Sequence, residues 1–162
     1  MDLIALEEIR RLKHRYLRCV DLKLWDDFGG VFTDDAVAEY DTPVIGKQLR
    51  LAGRTAIVDY MRTNLGPGTI TTHTAGSSEI DIDGDRATGI WALEDTVILP
   101  EHKLLIHGAA FYRDVYRRGG DGLWRVEHTG HRRTYEYTMS LADVPSLKFT
   151  AGLPPAPGID AT

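Results

Sequence analysis

The chain has 162 residues, 43% of them hydrophobic, with a formal net charge of −5. That length supports one domain with a full core, and acids and bases interspersed without a basic cluster argue against nucleic acid as a partner. The lone cysteine, Cys19, excludes an internal disulfide, and no apolar run approaches the roughly 20 residues that span a membrane.

The first eight residues are acidic and lack the apolar core of a secretory signal, so a cytoplasmic protein is expected. Residues 2–20 are amphipathic at helical spacing. Leu6, Ile9, Leu12, Tyr16 and Val20 share one stripe, with Glu7, Arg10, Arg11 and Lys13 mostly outside it. Asp2 suits the N-cap. A second helix is predicted at about 24–32, carrying Leu24, Trp25, Phe28, Val31 and Phe32. Thr33-Asp34-Asp35 breaks it, Ala36 to Tyr40 reads as a strand, and 41–52 as a loop containing Pro43 and Gly46. A third helix covers about 54–65 and stops at Gly66-Pro67-Gly68.

The hydrophobic period then changes. Segments 70–82, 86–99, 103–117 and 123–137 read as long strands joined by turn-forming sequences such as Asp83-Gly84-Asp85. Three helices followed by a long meander predict an α+β fold, helices packed on one face of a strongly curved, mostly antiparallel sheet. Strands this long coil rather than stay flat, which makes a cone with a deep apolar pocket. The expected domain is 1–142, with a proline-rich tail at 143–162 that is irregular, either packed over a surface or disordered.

Four polar residues stand where apolar ones would fit the pattern more easily: Tyr16, Asp21, His73 and Asp95. Each has a structural alternative. Tyr16 on the buried stripe is also a good core tyrosine. Asp21 ends a helix, where the macrodipole opposes a carboxylate, so a distant partner suits it better than a local one. A lone histidine in a strand is usually structural. Asp95 shares a strand face with Trp91 and Leu93, so it either enters the pocket or marks the strand's solvent end. Brought together, the four make a carboxylate–imidazole pair, a phenol and a second carboxyl, a set suited to cofactor-free proton abstraction and elimination. Tyr40, Trp91, Tyr112 and Tyr116 are candidate pocket residues. Gly108 and Ala110 leave room beside Tyr112 for a helix or a flat ligand. His107, His128 and His131 have no spacing that builds a three-ligand metal site. Neither a metal nor a cofactor is expected, for no phosphate loop, dinucleotide fingerprint or nucleophile elbow is present.

Several stretches carry a resemblance: Tyr16-Leu17-Arg18-Cys19-Val20-Asp21 with Trp25-Asp26, Thr72-His73 with Glu79-Ile80, Ala87 to Trp91 with Leu93-Glu94-Asp95, and Gly108 to Tyr112 with Tyr116. Together they resemble the SnoaL-like branch of the nuclear transport factor 2-like superfamily, over roughly residues 6–137, and most of all its bile acid 7α-dehydratases. Scytalone dehydratases and hexachlorocyclohexane dehydrochlorinases are more distant members. The resemblance implies the cystatin-like cone. It also implies catalytic roles for Tyr16, Asp21, His73 and Asp95, and an apolar, polycyclic or steroid-like carbonyl substrate. It implies a homotrimer or homodimer. An isomerase or cyclase of the same fold, or a non-catalytic ligand-binding module, remains the alternative. His128, His131, Arg132 and Arg133 match no pattern carried over from the family.

Overall fold

The structure, a computed structural model, describes residues 2–151. The expected tail falls partly outside them; its described portion, 143–151, follows on from a short turn at Leu141–Asp143.

Helix α1, Leu3–Asp21, starts where the Asp2 carboxylate accepts the Ala5 amide at 3.0 Å. Its buried stripe includes Ile9, Leu12, Tyr16 and Val20, as the spacing predicts. Lys13 departs from that prediction. It is fully buried, with Nζ 2.7 Å from the equally buried Asp114 and 3.2 Å from the centroid of the Tyr112 ring. A polar residue beside the stripe reads as solvent-facing from sequence; a carboxylate 101 positions away brings it inside. The exposed side of α1 carries Arg11, Arg15 and Arg18, a short basic stripe that helical spacing assembles from separated positions.

Helix α2, Trp25–Gly30, is shorter than expected because Phe32 opens a strand instead. That strand, β1, runs Phe32–Tyr40, and the predicted break at Thr33-Asp34-Asp35 is a bulge within it, where the register shifts between Phe32 and Val37. The predicted loop 41–52 holds a further strand, β2, Leu49–Ala52, paired antiparallel with β1. Gly53, at φ 92°, turns the chain from β2 into α3, Arg54–Asn64, which buries Ile57, Val58 and Met61.

The four long strands are β3, Ile70–Asp83, β4, Arg86–Leu99, β5, Leu104–Arg118, and β6, Trp124–Ser140. They pair as an antiparallel meander, and β1 adds to β6 in parallel, giving the order β2-β1-β6-β5-β4-β3. Register shifts at Gly76/Glu79, Ala109/Ala110 and Val115/Tyr116 bend the long strands, so the sheet curls around the helices as an α+β cone. Its concave face has two parts. Under α1 it is filled solid by Trp91, Tyr116, Val126 and the Lys13–Asp114 pair. Beyond the end of α1 none of the described residues fills it, and a cavity opens between the sheet, α3 and the chain joining β1 to β2.

Candidate active site

Asp21, the last residue of α1, reaches β3 and takes three hydrogen bonds there. Its Oδ2 accepts the His73 amide at 2.9 Å, and its Oδ1 accepts the Thr71 hydroxyl at 2.9 Å. The third contact is His73 Nδ1 to Oδ1 at 2.6 Å. A carboxylate only accepts, so Nδ1 carries the proton and Nε2 is left with its lone pair. The helix dipole disfavours a carboxylate at this terminus, and the three donors from β3 offset that. Lys23, at φ 61° just past α1, donates to Thr71 Oγ1 at 3.0 Å, and burial pushes its ammonium down to about 8.

His73 and Asp95 are register partners across β3 and β4, with His73 Nε2 4.0 Å from Asp95 Oδ2. That is too long for a hydrogen bond, so Nε2 stays available. Both oxygens of Asp95 are taken by Arg133, whose Nη1 and Nη2 donate at 2.6 and 2.9 Å. Asp95 thus anchors a guanidinium beside the cavity, each of its oxygens accepting one hydrogen bond and keeping a further acceptor site. Gly108, the register partner of Asp95 on β5, makes this possible: a Cβ there would lie 3.1 Å from Arg133 Nη1 and 2.6 Å from the Tyr135 carbonyl. The small residue predicted to make room for a helix or ligand makes room for Arg133.

The opposite wall of the cavity is phenolic. Tyr16 and Tyr40 share one hydrogen bond of 2.6 Å between their hydroxyls. Two hydroxyls hold two hydrogens and one bond uses one of them, which leaves one O–H for Tyr112 or for a bound molecule. Tyr112 packs edge-on against Tyr16, with centroids 6.1 Å apart. Burial raises all three phenols well above the ordinary value, so they are neutral donors.

Between the imidazole and the phenols lies a cavity of about 240 Å³, walled by Val20, Leu49, Met61, Leu65, Val97 and Ile106 among others. An engineered cavity of about 150 Å³ takes benzene, and drug-sized sites run from about 300 Å³. This cavity thus has room for a small ring system.

Tyr16, Asp21, His73 and Asp95 come together, and Tyr40 and Tyr112 line the cavity as expected. Trp91 and Tyr116 do not line it. They lie under α1, where Trp91 Nε1 donates to the Tyr116 hydroxyl at 2.9 Å and that hydroxyl donates to Asp114 at 2.7 Å. Strand alternation placed them correctly on the inner face but could not show which half of it α1 covers. Arg133 and His131, which line the cavity, escaped the sequence reading. Alternation through Thr129, His131 and Arg133 puts all three on one face, and the pairing of His131 with Tyr112 and of Arg133 with Ala110 puts that face inward. His128 and His107 stand apart, bonded to Glu39 at 3.0 Å and to Thr96 at 2.9 Å. Among the described residues no three His, Cys, Asp or Glu side chains are grouped to hold a metal ion.

A curved sheet over three helices, with a partly buried carboxylate–imidazole pair at the end of the first, defines a class of α+β cone. The chain belongs to the SnoaL-like domain family, whose model matches residues 1–130. It is similar in structure to a hexachlorocyclohexane dehydrochlorinase (LinA) type 2, with a TM-score of 0.73 and 23% identity over 97% of each chain. A putative scytalone dehydratase from Novosphingobium aromaticivorans superposes with a TM-score of 0.73 at 17% identity, covering 94% of each chain. The Kfla4162 protein from Kribbella flavida gives a TM-score of 0.70 at 26% identity, over 81% of this chain and 91% of that one. These similarities show the cone fold, and His131 and Arg133 lie just past the stretch that the family model matches.

Proposed function

We propose that this cavity belongs to a cofactor-independent carbon–oxygen lyase, a dehydratase acting on an apolar carbonyl compound. The observation that carries the reading is the Asp21–His73 pair, which fixes a hydrogen on Nδ1 and turns Nε2 toward the cavity. In the reaction, His73 Nε2 takes a proton activated by the substrate's carbonyl or enone. The C–H electrons move toward the carbonyl oxygen, which receives the remaining O–H of the Tyr16–Tyr40 pair as charge develops. Collapse of the enolate expels the hydroxyl, and the His73 imidazolium returns its proton so that water departs and a C=C bond remains. Proton and electrons balance, and the base is restored. Asp21 holds the ring and stabilises the imidazolium, while Arg133, held by Asp95, offers positive charge beside the leaving oxygen. General acid–base steps of this kind contribute roughly 10²–10⁴-fold.

The engagement of Asp95 by Arg133 favours a second reading, an isomerase or cyclase, in which the same His73 proton is returned to carbon. The distinguishing experiment follows ultraviolet absorbance on a panel of hydroxy-enones of one to four rings, steroids included. Growth of the extended conjugated chromophore supports dehydration. A double-bond shift without loss of water supports isomerisation.

We also propose a homo-oligomer, a trimer ahead of a dimer. The outer face of β5 and β6 exposes Phe111, Tyr135, Tyr137 and Met139, and the two tyrosine rings lie parallel with centroids 6.4 Å apart. Contiguous exposed aromatic surface of this kind marks an association site. A light-scattering mass of one chain would contradict it.

A further inference from the structure

His131 sits in the cavity wall between the rings of Tyr40 and Tyr112, with centroids 5.5 and 5.4 Å away. Its Nε2 lies 3.0 Å from the Asp41 carbonyl oxygen, an acceptor only, so Nε2 carries the hydrogen. The remaining nitrogen, Nδ1, is therefore an acceptor. It is buried and has no hydrogen-bond partner among the described residues. Burial, with Arg133 beside it, pushes the imidazole down to about 4, so the ring is neutral near pH 7 and the lone pair stays in place.

A buried acceptor without a partner is costly, and a bound hydroxyl would supply the missing donor. Of the other polar side chains lining the cavity, Arg133 only donates, Asp95 is engaged by Arg133, His73 is consumed by the chemistry, Asn64 is exposed, and the hydroxyls of Thr42 and the tyrosines can donate as well as accept. We propose that His131 is a specificity-determining residue, whose Nδ1 accepts a hydrogen bond from a hydroxyl on the bound molecule. The inference rests on reading the cavity as the substrate site. It selects, among apolar ring compounds, those with a hydroxyl in addition to the reacting carbonyl.

The test uses binding rather than turnover, so it is independent of which reaction the site performs. Affinities of 2-naphthol and of naphthalene are measured by calorimetry on the full chain and on three variants. His131→Asn keeps an acceptor near the place of Nδ1 and drops the donor to Asp41. His131→Gln keeps a donor near the place of Nε2 and drops the acceptor. His131→Phe keeps ring shape alone. The native chain should prefer 2-naphthol by about 10-fold. His131→Asn should retain most of that preference, and His131→Gln and His131→Phe should lose it with naphthalene affinity unchanged. Retention in His131→Gln and loss in His131→Asn would show that His131 acts only through Asp41 and overturn the proposal. A preference unchanged in all three variants would place the hydroxyl elsewhere and overturn it as well. His73→Ala, which removes the proposed base, should leave the naphthol preference in place, so failure of the lyase reading stays separate.

Discussion

Asp95 on β4 and Arg133 on β6 exchange two hydrogen bonds, of 2.6 and 2.9 Å, across the intervening strand β5. Both side chains are nearly inaccessible, at 6% and 5% exposure. Removing one partner of such a pair strands the other charge. Arg133→Leu should therefore destabilise the protein by about 3–5 kcal/mol, while the double variant Asp95→Asn/Arg133→Leu should recover much of that loss. Urea denaturation midpoints check both. Equal destabilisation of the single and double variants would show that the pair does not act as a unit.

The Lys13–Asp114 pair obeys the same rule under α1, with both side chains at 0% exposure. Asp114 also accepts from Tyr116 at 2.7 Å and from Thr129 at 2.7 Å, so its charge sits in a satisfied network. Lys13→Met should cost about 3–5 kcal/mol, and Asp114→Asn in that background should restore part of it. Because this network lies outside the cavity, naphthalene binding by the folded fraction should change little.

His131 predicts a pH dependence. Its folded value of about 4 lies below the ordinary 6.5, so between them the unfolded chain binds more protons than the folded one. Stability is then fully present above about pH 6.5 and falls as pH drops toward 4, by roughly 3 kcal/mol at the limit. The difference in unfolding free energy between native protein and His131→Gln, measured across that window, should carry this slope. A difference that does not vary with pH would contradict it.

Much of the cone was legible in the sequence. The helical stripe of α1, the extent of α3 and the four long strands follow from hydrophobic period alone, and Asp21 and His73 are the pair expected. What was not legible depends on contacts between distant segments. β2 has only four residues and needs β1 beside it. The parallel placing of β1 on β6 leaves no local trace. Lys13 reads as a surface residue until Asp114 is opposite it. Trp91 and Tyr116 differ from Tyr40 and Tyr112 only in lying beneath α1. Arg133 enters the site because Gly108 lacks a side chain.

The orientation of His73 by Asp21 gives a sharper prediction. Asp21→Asn can present its amide N–H to Nδ1 and so favour the wrong tautomer, with the hydrogen on Nε2. Turnover should fall by up to about 10⁴-fold without loss of fold. Nitrogen-15 spectra of the native protein should show the hydrogen on Nδ1 of His73, and those of the variant should show it on Nε2.

With His73 Nε2 as a base facing the cavity, the protein should catalyse exchange of α-protons in heavy water on cyclohexenone and 2-tetralone, which need no leaving group. Proton resonance follows that exchange, and His73→Ala, with its fold intact, should lower it by at least about 10²-fold. Exchange at the native rate in that variant would contradict a base role for His73.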